Sequence, residues 1–389
     1  MEEGPAQHSR LTFREIEVTG DPVRPLDFPP PIVHTGASDN DSRIINHRTG
    51  QPIPVQDAVL YRIPPNAGGQ PEEGFWFRKQ LKDAIYGSVW AALVVRRLYH
   101  EAYGFVWMTT DEYVAIKRLS WAVVHRLRGR HMEDPLKEVA CLQLIGNDHP
   151  NVLGCRVVLQ DKNYLYIVSP YCNRGDLFEN VTHRAGDEGL YEPEARYWFR
   201  QILQGLHHLQ SRGICHRDLS LENILVNDND SLIIDMGMCL RVPYSSSAGD
   251  GSISDVYNGT ARRLIVPQGS CGKLNYMSPE IFANFEAFDG FAIDLWAAGA
   301  ILYIMLTGFP PWDTPQLTDM RFEVIVTGRL NEQLQAWEVD ISDEAADLLQ
   351  GMLQLDPRNR LTLAQVMTHP WVMDDDVRLP PGDDDSESD

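Results

Sequence analysis

The sequence predicts an α+β chain of two lobes: a small antiparallel β lobe carrying one helix, and a larger helical lobe. Three observations predict it. Phe75 to Leu98 and Phe105 to Leu119 are dense in Val, Trp, Tyr and Ile, the residues of twisted antiparallel strands. Beyond Tyr171 the apolar spacing turns helical. With 389 residues and 43% hydrophobic side chains, the chain has enough apolar surface for a core in each lobe.

In chain order, residues 1–74 hold 11 of the 25 prolines, Pro29-Pro30-Pro31 and Pro64-Pro65 among them, with weak apolar periodicity. That composition predicts a disordered extension. The β lobe is expected over 75–170. Within it Pro135 to Gly146 spaces Leu136, Val139, Ala140 and Leu144 as a helix does, and Asn163 to Tyr171 reads as a buried strand. The helical lobe is expected over 171–373. Glu192 to Arg212 is amphipathic, with Pro193 in the first turn, where its missing N–H has no partner to lose. Phe291 to Thr307, Asp343 to Gln354 and Thr362 to His369 follow as helices. Asp374 to Asp389 carries eight acidic residues among 16 and reads as a solvated, disordered tail.

Charge and cysteines narrow the function. The net charge of −21 argues against a general basic field, so no nucleic-acid partner is expected. Cys141, Cys155, Cys172, Cys215, Cys239 and Cys271 form no C-x-x-C pair, which disfavours disulfide and zinc readings. A reducing compartment fits, cytoplasmic or nuclear. The start lacks a basic-then-apolar leader. The apolar run Phe291 to Phe309 contains Asp294 and ends in Gly-Phe-Pro-Pro, so it reads as a buried helix and no membrane partner is expected.

The chemistry concentrates in His216-Arg217-Asp218-Leu219-Ser220-Leu221-Glu222-Asn223, an H-R-D-x-x-x-x-N loop. Asp235-Met236-Gly237 follows 17 residues after Asp218. Phosphoryl transfer needs such a set, because its catalysis is mostly positioning and charge neutralisation. Upstream stand Val114-Ala115-Ile116-Lys117, Glu138 and His149-Pro150-Asn151; downstream stand Ser278-Pro279-Glu280, Asp294-Leu295-Trp296-Ala297-Ala298-Gly299 and Arg360. In this series, from about Phe75 to Val372, the chain resembles the eukaryotic protein kinases of the Ser/Thr type. Gly175-Asp176-Leu177-Phe178 and His369-Pro370-Trp371 are similar to calcium/calmodulin-dependent members.

The resemblance implies a bilobal kinase fold, ATP and Mg2+ as cofactors, and protein Ser/Thr hydroxyls as acceptors. It implies that Lys117 holds the α- and β-phosphates and pairs with Glu138. Asp218 would receive the acceptor's proton, and Asn223 and Asp235 would hold magnesium. Val89, Ala115 and Leu225 would sandwich the adenine, with Ser169, Pro170, Tyr171 and Cys172 at the hinge and Ser169 as a small gatekeeper. Asp176 would meet ribose or a basic substrate residue; a helix N-cap role fits it equally. Glu280 would pair with Arg360, and Asp294 would brace the catalytic loop.

Two departures stand out. The family's G-x-G-x-x-G is here Lys82-Asp83-Ala84-Ile85-Tyr86-Gly87, with only the third glycine kept. Ala84 lacks glycine's access to positive φ, which predicts a looser hold on the phosphates. Secondly, the family's lysine two residues after the catalytic Asp is Ser220, and the threonine of its Gly-Thr-Pro-x-Tyr is Lys273. One cation and one hydroxyl are kept in exchanged places, which predicts that Lys273 and Ser220 meet beside Asp218; independent loss of both is the competing reading.

Glu280 lies 45 residues after Asp235, which makes a long activation segment. By resemblance Arg217 receives a phosphate placed there by an upstream kinase, on Ser270, Thr260 or the serines from Ser245 to Ser254. Residues 97–108 lengthen the link between two strands; the aromatics Tyr99, Tyr103, Phe105 and Trp107 extend the hairpin or, as the alternative, form a docking patch. A pseudokinase acting as nucleotide-binding or scaffold module is the alternative function. Oligomeric state is left open.

Overall fold

The computed structural model describes residues 14–16, 44–53, 58–60, 73–185, 189–242 and 263–379. It divides into two compact units. A strand-rich unit comprises Pro25–Asn147 and Leu153–Cys172, and a helical unit comprises Met1–Arg24, Asp148–Val152 and Asn173–Asp389. The strand-rich unit ends at Cys172, and Asp148–Val152 belongs to the helical unit.

In the strand-rich unit, β5 (Glu73–Ala84), β6 (Gly87–His100) and β7 (Gly104–Ser120) form an antiparallel meander. The far part of β7, from Val114 to Ser120, pairs with β9 (Tyr164–Pro170), which pairs in turn with β8 (Val157–Gln160). Alternation puts Phe75, Phe77, Ala92, Val94, Val114, Ile116, Tyr166 and Val168 into one core. The hairpin turns only at Glu101-Ala102-Tyr103, so residues 97–108 do lengthen it. Tyr99 and Phe105 remain exposed at its end and meet edge to face at 5.6 Å.

The expected disordered extension over 1–74 needs correction. β2 (Ile44–Ile45) runs parallel to Trp107 and Met108 on β7 and pairs with β3 (Pro52–Ile53); β4 (Ala58–Leu60) pairs with β5. Ile44 and Ile45 are fully buried, and Ile44 packs with Trp76, Leu93, Val95 and Trp107. The lengthened hairpin supplies an apolar surface and an open strand edge, and two isoleucines suffice to fill both. Thr109 Oγ accepts from the His47 amide at 3.1 Å, and Asp111 binds Arg48, which ties the strap down. The rest of 1–74 lies mostly outside the described residues.

Among its described residues the strand-rich unit has two helices, α1 (Trp121–Leu127) and α2 (Pro135–Ile145). The Asp134 side chain caps α2 by accepting from Leu136 N, with Pro135 at the first helical position. Helix α1 was not expected from the sequence.

The helical unit holds α3 (Leu177–Ala185), α4 (Glu192–Ser211), α5 (Pro279–Ala283) and α6 (Gly290–Thr307). It continues with α7 (Met320–Val326), α8 (Leu330–Ala336), α9 (Asp343–Met352), α10 (Leu363–Met367) and α11 (Pro370–Met373). Every residue of α6 is buried, as its apolar run requires. Asp289 caps its start through Phe291 N, and Gly308, at φ 78°, ends it. Trp296 of α6 packs on Trp312 at 5.1 Å and Phe322 at 6.0 Å. Short strand pairs carry the functional loops: β10 (Ile214–Cys215) with β13 (Leu240–Arg241), and β11 (Ile224–Asn227) with β12 (Asp230–Ile233). β1 (Arg14–Ile16) runs parallel to β14 (Arg263–Ile265).

Candidate active site

The predicted site residues divide between the units. In the helical unit the loop 216–223 leaves β10 and enters β11, and Asp294 fixes its start. The buried Asp294 carboxylate accepts from His216 N at 2.6 Å and from Arg217 N at 2.9 Å. Burial pushes this carboxyl up to about 6, while His216 and the two amides favour its charged form. His216 Nε2 donates to Ile234 O at 2.7 Å and its Nδ1 accepts from Asp218 N at 3.2 Å. One ring therefore joins Asp218 to the strand end before Asp235. Arg217 and Asp235 both sit in the left-handed region, at φ 70° and 64°, conformations that L residues keep only when neighbours hold them.

These bonds present a defined set of atoms. Asn223 Nδ2 donates to Asp218 O at 2.7 Å and Asp218 Oδ2 at 3.0 Å. The amide nitrogen is thereby committed, which leaves Asn223 Oδ1 as the acceptor of this side chain. Burial raises the Asp218 carboxyl above the usual range; Lys273 and His216 pull it back, and the Asp235 charge adds to the rise. Lys273 Nζ donates to Ser220 Oγ at 2.6 Å and lies 3.7 Å from Glu222 Oε1. The expected meeting of Lys273 and Ser220 is therefore observed. Leu225 pairs with Leu232 and bridges to Asp176. The Asp176 carboxylate accepts from Glu179 N at 2.9 Å, so it caps α3, the second of its two expected roles.

The frame around the loop matches the expected pairs. Arg360 grips Glu280 with two bonds, at 2.6 and 2.8 Å, donates to Ala292 O and Gln354 O, and lies over the Trp296 ring. Asn151, after His149-Pro150, ties to Ser231 O and Gln201. Met236, between Asp235 and Gly237, is buried. Arg217 donates to Met238 O and lies over Phe288, with Nε and Nη2 buried and unbonded among the described residues. Ser270 is exposed and donates to Phe282 O. Thr260 and the serines from 245 to 254 lie outside the described residues.

In the strand-rich unit, Lys117 of β7 meets Glu138 of α2 at 2.7 Å and Glu133 at 3.4 Å. The side chains are 14%, 7% and 12% exposed, well removed from the weak surface pairs that lysines usually form. Glu133 was missed: it precedes the helix, where nothing in the apolar pattern marks it. Val89 lies opposite Lys117, and Ala115 lies between Ala91 and Ser169. Pro170 ends β9; Tyr171 and Cys172 follow, with the Tyr171 ring 6.0 Å from Tyr113. Burial pushes the Cys172 thiol up to about 11.

The turn from Ala84 to Gly87 forms without the two missing glycines. Neither Lys82 nor Ala84 adopts positive φ, so the loss of two glycines strains nothing. Gly87 is kept for space: a Cβ there would sit 1.9 Å from Arg118 O on β7. Tyr86 is fully buried, its hydroxyl donating to Glu133 O at 2.7 Å, while Lys82 is exposed. The Tyr86 bond pins the turn to the stretch before α2.

Known proteins resemble this chain in sequence. The sequence pattern of the protein kinase domain matches residues 99–372. The chain is 33% identical to mouse (Mus musculus) serine/threonine-protein kinase DCLK3 over 226 residues, 58% of the chain and 26% of that protein. It is 34% identical to calcium-dependent protein kinase 29 of Arabidopsis thaliana over 255 residues, 64% of the chain and 42% of that protein. CBL-interacting protein kinase 17 of Oryza sativa subsp. japonica is 30% identical over 281 residues, 72% of the chain and 55% of that protein. The chain thus spans about half, or less, of the length of these curated relatives. With the family pattern covering most of its length and the loop geometry in place, the chain belongs to the protein kinase family.

Proposed function

We propose that the chain is an ATP-dependent protein serine/threonine kinase. The observation that carries this is the Asp218 carboxylate, held by Asn223 on a loop that Asp294 and His216 fix from behind. A carboxylate so placed orients an acceptor hydroxyl and takes its proton as the new O–P bond forms and the β–γ bridge breaks. The fit for magnesium is chemical. Asn223 Oδ1 and the Asp235 carboxylate are hard oxygen donors of the type that ion takes. They would hold it, and it would neutralise phosphate charge. Lys117, fixed by Glu138, is the proposed phosphate cation. Val89, Ala115 and Leu225, with the chain from Ser169 to Cys172 and the turn of Lys82, Ala84 and Gly87, are the proposed nucleotide contacts.

Serine and threonine acceptors are favoured because Leu219 to Glu222 lacks the Ala and Arg of tyrosine-specific loops, and because similar proteins are named as serine/threonine kinases. Arg217, buried with two nitrogens unbonded among the described residues, supports a phosphate supplied by an upstream kinase as its partner. Six free cysteines, five of them buried, support the cytoplasm or nucleus. Incubation of the purified chain with magnesium-ATP and a mixed peptide library tests the reading. Transfer to Ser/Thr peptides that Asp235→Asn removes upholds it. Nucleotide binding without transfer points to a pseudokinase.

A further inference from the structure

We propose that Lys273 is the cation of the transfer site, carried by the segment 269–278 instead of the catalytic loop, and that Trp312 positions it. This rests on the kinase reading and adds how that site is assembled. The head of Lys273 has a built seat. Ser220 Oγ accepts its proton at 2.6 Å, and Ser220 is fully buried, so its hydroxyl is fixed within the loop that bears Asp218. Glu222 supplies a second, charged side to the seat at 3.7 Å.

The base of Lys273 is held as firmly. Gly272, at φ 89°, lies against the catalytic loop; a Cβ there would stand 3.1 Å from Arg217 O and 3.3 Å from Asp218 Oδ1. Only glycine lets the backbone approach so closely in that conformation. On the other side, Trp312 Nε1 donates to Leu274 O at 2.9 Å, and Asn275 Nδ2 donates to Trp312 O at 2.7 Å. This reciprocal pair joins the two residues after Lys273 to a fully buried indole packed on Trp296 and Phe322.

A consequence follows. A lysine on the catalytic loop inherits the rigidity of that loop. A lysine on segment 269–278 is in place only while the segment is docked. The charge available for transfer is thereby tied to the Trp312 lock, which the sequence alone does not reveal.

The exchange provides its own control. Lys273→Met should lower kcat by about 10²- to 10³-fold, the usual loss for one preorganised electrostatic group, with KM for ATP within about twofold. The double change Ser220→Lys with Lys273→Thr returns the cation to the loop and should recover most of that loss, with effects far from additive. Trp312→Phe keeps the ring and removes the donor; Asn275→Ala removes the other bond if the first variant folds poorly. Each should lower kcat by about 3- to 10-fold in the wild type, as for one positioning hydrogen bond, and have little effect in the exchanged background. Equal losses in both backgrounds would show that Trp312 serves the fold alone and would overturn the proposal, as would additive effects at 220 and 273. If the wild type transfers no phosphate, the kinase reading fails. The seat is then judged from Tm in a Ser220→Ala, Lys273→Met cycle: coupled losses uphold it, additive ones overturn it.

Discussion

The loop 216–223 and the turn 84–87 are both segments that phosphoryl chemistry would use, and this chain has treated them differently. The loop keeps its motif, and nearly every motif residue has several partners. Asp294 alone holds two successive amides, and His216 joins two motifs with one ring. The turn has lost two of three glycines without strain, because its φ angles never required them. The one that remains is the one whose Cβ would collide with Arg118 O. A motif residue is hard to replace where several bonds or a close approach depend on it, and free to change where it supplied only conformational latitude.

The contrast breaks most visibly at its strongest point. Asp218→Ala should lower kcat by about 10²- to 10⁴-fold, the range for removing a positioned base, while the nucleotide Kd changes little. Steady-state kinetics and calorimetric titration with ATP measure the two quantities. Retained turnover would mean that the best-held carboxylate of the loop is not the functional one.

Asp294 tests whether convergence of bonds is what holds the loop. Its buried carboxyl, at about 6 against an ordinary 3.8, binds a proton more tightly in the folded chain than in the unfolded one. Measured against Asp294→Asn, the wild type should therefore gain stability as pH falls from about 6 towards 3.8 and lose it as pH rises through that window. Activity should run the other way. A protonated carboxyl has one oxygen fewer to accept with, so His216 N or Arg217 N loses its partner and kcat declines below about pH 6. An asparagine has one acceptor oxygen at every pH. Asp294→Asn should cost about tenfold in kcat, as one orphaned buried donor does, and this acid limb should vanish. Chemical denaturation and kcat against pH read the two opposed trends.

Much of this site was legible because its motifs are local and their spacing is fixed. His216 to Asn223, Asp235 and Ser278 to Glu280 each announce themselves within a few residues. Even Lys273 and Ser220, 53 positions apart, were legible as a pair, since each occupies the other's usual residue type. What stayed hidden lacks a local pattern. Ile44 and Ile45 are two apolar residues in a proline-rich stretch, and their partners stand about 60 positions away on β7. Tyr86 sits at a two-residue turn, where an aromatic side chain ordinarily projects into water; its burial depends on Glu133 O, in the stretch before a helix. Trp312 follows Pro310-Pro311 and reads as a core residue, which it also is. Its bonds to the segment after Lys273 are visible only in three dimensions.

Gly87 sharpens the comparison within the turn. Gly87→Ala forces β6 away from β7 at Leu119 and Arg118, so it should destabilise by about 1–3 kcal/mol, the range for overpacking. A fall in Tm accompanied by raised KM for ATP is expected, because the displaced strand also carries Val89 opposite Lys117. An unchanged Tm would show that the strands yield easily and that some other demand keeps this glycine.

The smallest effect belongs to the lost glycines. If the turn were a damaged phosphate loop, Lys82→Gly with Ala84→Gly would repair it, and KM for ATP would fall. The geometry predicts otherwise. Both residues lie within β5 at ordinary φ, and Lys82 pairs with Val89 in the ladder. Glycine there gains no new backbone conformation that the turn uses, and it adds unfolded-state freedom costing roughly 0.5–1 kcal/mol at each position. Tyr86 would still hold the turn to Glu133 O. The double variant should therefore melt lower and bind ATP no tighter than the wild type. Combining it with Tyr86→Phe, which removes the 2.7 Å bond, separates the two explanations. A gain in ATP affinity seen only in the triple variant would mean that the pinned tyrosine, and not the missing glycines, sets how closely this turn can approach a phosphate.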